Sequence, residues 1–317
     1  MATTGRRPLP PVPLAAITGP TASGKSDLAM AIARHLPVEI LVADSRQVYR
    51  GMDIGTAKPT AAERAAVPHH LLDLADPDER FTVADWVRRA RELIPEVAAR
   101  GSLPLVVGGT GLYLAALVDG YRLDQQPPGP ELRSQLSGEL EASGLASLAA
   151  RLIEMDPAQA QRTDLENPRR VLRALERALV AGGPVTVAAD PYPGRVAMIG
   201  LSRPRDLLIA RIEARAQRMF TNGLLEEVGS LLGAGFGPEL APMSGHGYRE
   251  AAAELSGQST PEQALADTIR RTRQYARRQM TWLRRDRRIV WLTVGEREAD
   301  DADLVSRAEL LLRRLLD

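Results

Sequence analysis

The chain has 317 residues, 44% hydrophobic and 26% charged, with a formal net charge of +1. That length points to about two domains with a sizeable core and excludes disorder for most of the chain. With no cysteine present, disulfides, thiolate zinc sites and cysteine nucleophiles are excluded, and a cytoplasmic location is the expectation. No apolar run approaches the ~20 residues of a membrane span. Residues 1–13 are Pro- and Arg-rich, lack an apolar signal core and read as a flexible leader. Of the 41 basic residues only Lys25 and Lys58 are lysines. In so Arg-rich a chain, a retained lysine marks a place for a compact ammonium rather than a planar fork.

Residues 14–18 form an apolar run ending in Gly-Pro, which predicts a buried strand. A helix is expected over 26–36 and a second strand over 39–44, ending in a carboxylate. A loop-rich stretch covers 50–80. Thr82 opens an amphipathic helix that Gly101 stops. A third strand covers 103–107, and Gly108-Gly109-Thr110-Gly111 opens the next helix. Strands alternating with helices imply an α/β fold with a parallel, doubly wound sheet. Gln125 to Pro130 is a linker signal, residues 131–180 show helical periodicity without strands, and Gly182-Gly183-Pro184 closes them. A helical insertion domain, 125–194, is therefore expected within a core domain made of 14–124 and 195–317. A strand at 196–201 resumes the sheet. Helices over 205–232 and 261–285, a strand at 289–294 and a helix at 301–316 complete it.

Gly19, Pro20, Thr21, Ala22, Ser23, Gly24, Lys25 and Ser26 match G-x-x-x-x-G-K-[ST] between a predicted strand and a predicted helix. Glycines let backbone N–H groups turn inward around a polyanion, and the helix N-terminus adds its dipole. Lys25 supplies a mobile charge, and the Ser26 hydroxyl is placed for Mg²⁺. The motif predicts that a di- or triphosphate binds, and leaves open which reaction follows.

Ligands of open parallel sheets lie at the carboxyl ends of the strands. There the topology gathers the phosphate loop, Asp44-Ser45-Arg46-Gln47 and the Gly109-Thr110-Gly111 turn. Asp44 can take a proton from a nucleophile or hold Mg²⁺ through water, or it can simply cap a turn. Thr110 can orient a substrate or cap its helix. The third strand ends in Gly-Gly-Thr instead of the aspartate that an ATPase uses for Mg²⁺, which argues against that chemistry. His69 and His70 are adjacent on a loop, unlike the i, i+4 pairs of metal sites, and read as structural. His246, in a polar loop, fits either role.

Nine arginines and one acid, Asp286, lie between Arg270 and Arg288, interleaved with Tyr275, Gln279 and Trp282. A solvated face mixes signs; this stretch reads instead as tracking a nucleic-acid backbone. Arg169, Arg170 and Arg173 form a second basic cluster. Arg211, Arg215 and Arg218 recur at i, i+4, i+7, which suits a clamp on the ligand's phosphates.

Taken together, GPTASGKS (19–26), DSRQVYRGMDIGTAKP (44–59), PHHLLD (68–73), LVVGGTGLY (105–113), NPRRVLRALE (167–176), GYRE (247–250) and RRQMTWLRRD (277–286) resemble the tRNA dimethylallyltransferase (isopentenyl-tRNA transferase) family. The likeness runs in order from about Leu14 to Trp291. It implies a P-loop-type fold holding dimethylallyl diphosphate with Mg²⁺, and an acceptor amine on the adenosine immediately 3′ of the anticodon. By position, Asp44 would be the base, Thr110 would hold the acceptor, and Lys25 with Thr21 to Ser26 would bind the diphosphate. The tRNA would meet Asp44, Ser45, Arg46, Gln47, Thr110, Arg133, Arg169, Arg170, Val171, Leu172, Arg173, Gly247, Tyr248, Arg249, Arg277, Arg278, Gln279, Trp282 and Arg284. Ser244 stands where the family more often has a longer polar or basic side chain. No membrane partner and a monomeric state are expected. A small-molecule P-loop kinase is the alternative, and an RNA-binding protein gated by nucleotide is a third reading.

Overall fold

A computed structural model of the chain describes residues 11–121, 129–183, 189–295 and 301–316. Most of the leader, the linker residues 122–128 and Pro184 lie outside the described residues.

The elements in chain order are β1 (Leu14–Thr18), α1 (Lys25–Ile32), β2 (Val38–Val42), α2 (Ala61–Ala66), β3 (His69–His70), α3 (Val83–Ala99), β4 (Leu103–Gly108) and α4 (Gly111–Val118). Then come α5 (Pro130–Met155), α6 (Pro157–Arg162), α7 (Pro168–Ala181), β5 (Val196–Ser202), α8 (Arg205–Thr221) and α9 (Leu224–Gly233). A 3-10 turn (Pro242–Ser244), α10 (Tyr248–Leu255), α11 (Pro261–Leu283), β6 (Ile289–Thr293) and α12 (Ala302–Leu316) follow. The chain divides into two compact units, Met1–Val118 with Tyr192–Asp317, and Asp119–Pro191.

The first unit is built on a sheet ordered β3-β2-β4-β1-β5-β6, with every pairing parallel. Ala15, Ile17, Ile40, Leu105 and Ile199 point to one face, where α1 and α12 cover them with Leu28, Ile32, Leu304 and Leu312. Leu14, Ala16, Leu41, Val106 and Met198 alternate with them and are buried as well. Burial on both faces is why these strands read as continuous apolar runs. Deleting Leu105 to alanine would cost ~2–5 kcal/mol. All the strands run the same way, so their carboxyl ends share one edge, and the phosphate loop leaves β1 in the middle of it.

The structure divides one expected element and adds others. The helix expected over 205–232 is broken: Gly223, at φ 100°, separates α8 from α9. A left-handed residue there stops a helix, and glycine adopts that conformation without penalty. The loop-rich stretch holds α2, with Thr60 and Glu63 in a capping box, and the edge strand β3. Within that strand, His70 Nε2 lies 2.7 Å from Glu39, which Arg100 also grips at 2.7 Å. The Arg100 hydrogen bonds hold the Glu39 carboxyl down to about 2, against the opposing effect of burial.

The second unit packs α5, α6 and α7 around Leu136, Leu148, Leu152, Val171 and Leu175. Gly144 (φ 76°) kinks α5. The buried Glu176 accepts from Arg133 at 3.0 Å and Arg173 at 3.1 Å.

Candidate active site

In the phosphate loop Ala22 (φ 63°) and Gly24 (φ 98°) both have left-handed φ, and left-handed residues in such a turn help aim backbone N–H groups into an anion-binding concavity. A non-glycine residue held there is strained, which functional sites tolerate. A side chain at Gly19 would strike the Leu201 carbonyl of β5, 2.5 Å from its Cβ. Lys25 Nζ donates to the Pro20 carbonyl at 2.8 Å. Burial, then the neighbouring Arg215, pull its pKa down to about 8, while Asp44 and Asp27 oppose them. Ser26 stands exposed at the start of α1.

α8 carries Arg211 and Arg215, the arginines expected to clamp the ligand's phosphates, against the phosphate loop. Arg215 donates to Thr21 Oγ1 at 2.9 Å and to the Thr56 carbonyl at 3.3 Å. Arg211 donates to the Ala22 carbonyl at 3.2 Å and lies 3.3 Å from Asp27. Burial lowers the Arg215 pKa, and the nearby Arg218 adds to that. Lys25, Arg211 and Arg215 thus gather beside the loop with Asp44 and Asp27 as the acids acting on them, a net positive setting that favours a polyanion.

Beyond β2, Asp44 Oδ1 accepts from the N–H groups of Arg46 (2.8 Å) and Gln47 (3.4 Å), so the carboxylate folds its own turn. The Ser45 N–H donates to Thr110 Oγ1 at 3.4 Å, which ties this turn to the one after β4. The Asp44 charge is felt by Lys25 and Arg215 on one side and by Tyr113 and Tyr275 on the other. Burial, and then Asp44, raise the Tyr275 phenol to about 12, with the neighbouring Thr110 acting against them. Tyr113 is raised further, again mainly by burial. His246 packs 5.1 Å from Tyr275. Burial, with help from Arg271, Arg278 and Arg46, lowers its pKa to about 4, so it is neutral at pH 7.

Some residues expected to meet RNA are committed elsewhere. Val171 is 0% exposed in the core of the second unit, so its side chain cannot reach a ligand. Leu172 packs against that core. Tyr248 is also buried, and its hydroxyl donates to Glu227 at 2.6 Å. Glu227 in turn accepts from the N–H groups of Asp53, Ile54 and Gly55, so Tyr248 anchors that loop. Gln47 donates to the Thr56 and Ala57 carbonyls, and Arg46 holds Ala241 and Ser244. Gly247 (φ 95°) begins α10 as a backbone element. Arg133 and Arg173 share Glu176, as above, and Arg170 lies 3.8 Å from Asp164.

The arginine-rich segment is partly paired. Arg271 holds the buried Glu250 at 2.7 Å, Arg270 holds Asp267 at 2.8 Å and Arg288 holds Asp286 at 2.7 Å. Arg278 lies over the Tyr275 ring at 5.9 Å. Arg249, Arg273, Arg277, Arg278, Arg284 and Arg285 stay exposed, as does Arg169 in the second unit. Pairing with acids outside the run, Asp267 and Glu250, was not visible from the run itself. Gln279 and Trp282 face inward toward the 109–111 turn.

Residues 47–286 match the model of the IPP transferase family, and residues 12–74 that of isopentenyl transferase. A tRNA dimethylallyltransferase from Roseiflexus castenholzii is 47% identical over 308 residues, covering 96% of this chain and 99% of that one. The full-length tRNA isopentenylpyrophosphate transferase from Bacillus halodurans has a similar crystal structure, with TM-score 0.71, 38% identity and 96% of each chain covered. A eukaryotic dimethylallyltransferase, seen acting on tRNA, superposes with TM-score 0.78 at 25% identity, over 96% of this chain and 79% of that one.

Proposed function

The chain belongs to the IPP transferase family, and from that premise we propose that it moves a dimethylallyl group from dimethylallyl diphosphate to the exocyclic amine of the adenosine immediately 3′ of the anticodon in tRNA. The observation that carries the reading is the joined pair of turns bearing Asp44 and Thr110, set beside a cationic phosphate cradle whose neighbouring strand β4 ends without a carboxylate. The small-molecule kinase reading is not favoured, because the relatives that match nearly the whole chain are tRNA transferases.

An aromatic amine is a weak nucleophile, and an allylic diphosphate offers a carbon that tolerates positive charge. The allylic C–O bond breaks as the N–C bond forms, and diphosphate leaves. Lys25, Arg211, Arg215 and the N–H groups of the phosphate loop stabilise the departing charge. Asp44 takes the amine proton, and Thr110 holds the acceptor in line with the donor. Ser26 fits Mg²⁺: an exposed hydroxyl beside a phosphate cradle is a hard oxygen donor of the kind this ion combines with phosphate oxygens and water. Bound there, the ion would neutralise charge on the diphosphate. The target base must leave the stack of the anticodon loop to reach Asp44, and Arg277, Arg278, Arg284 and Arg169 offer phosphate contacts. The protein is expected to work as a monomer in the cytoplasm; among the described residues no helix is long and apolar enough to cross a membrane.

The test is incubation with radiolabelled dimethylallyl diphosphate and bulk tRNA, and separately with labelled ATP and small acceptors. Label in tRNA is the expected result. Phosphoryl transfer from ATP, with no label in tRNA, would overturn the reading.

A further inference from the structure

Gln279 sits on the arginine-rich helix α11, yet its amide is buried at 7% exposure. Its Oε1 accepts from the Thr21 N–H at 2.8 Å, and its Nε2 donates to the Gly109 carbonyl at 2.9 Å. A backbone N–H can only donate and a carbonyl can only accept, so the amide has one allowed orientation. One side chain thus bridges the turn after β1 and the turn after β4. The ladder joining those strands ends at Thr18 and Gly108. Past that pair the chains diverge, one into the phosphate cradle and the other toward Thr110.

Two neighbours on α11 reinforce the bridge. Tyr275, four residues before, lies beside Thr110. Trp282, three residues after, packs so tightly on Gly111 that a Cβ there would lie 2.1 Å from its ring. A Cβ at Gly109 would lie 2.3 Å from Gln279 Nε2. Tyr275, Gln279 and Trp282 share one helical face, and Arg273, Arg277 and Arg284 lie opposite at ~100° per residue. The helix therefore presents cations outward and a hydrogen-bonding ridge inward. The bridge also removes the Thr21 N–H from the set that can hold phosphate, and fixes the residue whose hydroxyl receives Arg215.

We propose that Gln279 is a positioning residue for prenyl transfer: by spanning Thr21 and Gly109 it sets the diphosphate cradle at a fixed distance from the Asp44–Thr110 pair, so that the allylic carbon and the attacking amine meet in line. The inference rests on the transferase reading above. It assigns Gln279 to geometry instead of RNA contact. Misplacement of reacting groups by ~1 Å costs on the order of 10²-fold in rate.

The experiment measures single-turnover transfer of labelled dimethylallyl group to tRNA, and tRNA affinity by filter binding, for wild type, Gln279→Leu and Gln279→Glu. Leucine keeps similar bulk without either hydrogen bond. We expect its rate constant to fall roughly 10²-fold with tRNA affinity near wild type. An ionised glutamate accepts only, but its protonated form can both donate to Gly109 and accept from Thr21. Gln279→Glu should therefore recover toward wild type as pH falls, by comparison with the wild-type profile. A merely structural residue would lower the amplitude, the folded fraction, and leave the rate constant unchanged; that result overturns the proposal. So does a collapse of tRNA affinity with the rate constant intact, which would make Gln279 an RNA contact. If the wild type transfers label and both variants match its rate constant, Gln279 alone is misassigned. If the wild type transfers none, the transferase reading fails and the proposal with it.

Discussion

Lys25 and Lys58 carry the same ammonium on opposite terms. Lys58 is buried with all three donors spent, on the Tyr49 carbonyl at 2.6 Å, Asp53 at 2.6 Å and Asp73 at 2.5 Å. Arg64 adds a second cation to Asp73 at 3.0 Å. That charge is neutralised inside the fold and serves to close the loop between β2 and β3. Lys25 donates to one carbonyl and sits beside another cation, with its pKa pulled down. An ammonium matched by carboxylates holds a structure together. One with Arg215 beside it and, among the described residues, no carboxylate in direct contact, in the loop that opens α1, is stabilised by an anion supplied from outside the fold.

The contrast can be broken by exchange of outcomes. Lys25→Ala should abolish turnover while tRNA affinity and the unfolding midpoint stay close to wild type. Lys58→Ala should do the reverse, retaining turnover at low temperature and losing about 2 kcal/mol of stability, between the surface and fully buried cases. Urea unfolding and single-turnover assays on both variants decide it, and stability lost at Lys25 would erase the distinction. Asp44→Asn should lower the single-turnover rate by ~10²–10⁴-fold with both substrates still bound. Intact chemistry with lost tRNA affinity would make Asp44 a recognition residue.

Replacing Arg277 and Arg278 together by alanine should weaken tRNA binding and flatten the plot of log affinity against log salt by roughly one unit per lost phosphate contact. Parallel lines for wild type and variant would mean that these side chains touch no phosphate. The smallest effect is in pH. The protonated lysine binds the anion, and its pKa in the free site is about 8. Affinity for inorganic diphosphate should therefore fall as pH rises from 7 to 9, and Lys25→Arg, which keeps its charge, should remove the part of that slope due to the lysine. Identical slopes in the two proteins would take Lys25 out of the cradle.

The sheet was readable from sequence because β1, β2, β4 and β5 are apolar on both faces, and the phosphate loop because its glycines and lysine are spaced by the ligand's own geometry. β3 was hidden: two histidines have no strand pattern, and they pair only because β2 offers an edge. α10 was hidden too, since eight residues give little periodicity. The break at Gly223 carried a signal in Asn222-Gly223, outweighed by the apolar period running through it. At the candidate site, the placement of Lys25, Asp44 and Thr110 along one edge of the sheet could be read from sequence because each follows the carboxyl end of a parallel strand. Tyr248, Val171 and Gln279 could not be sorted from their exposed neighbours, because motif membership does not tell whether a side chain points to solvent or to the core. A burial argument could have flagged Val171, which follows two arginines at the position where α7 turns inward.

The register of β1 has a consequence for how the molecule is made. Its two neighbours are β4, where Ala15 meets Leu105, and β5, where Ala15 meets Ala197. A growing chain therefore offers one side of β1 a partner early and leaves the other open until the whole of residues 119–191 has been synthesised. Throughout that interval the central strand is an unpaired apolar edge, the kind that recruits other chains. The cradle is incomplete for the same interval, since the strand residue Leu201 that crowds Gly19 and the α8 arginines arrive only after it. Ribosome-bound fragments ending before Val196 should therefore resist folding and fail to retain diphosphate, whereas those that have released α8 from the exit tunnel should bind it.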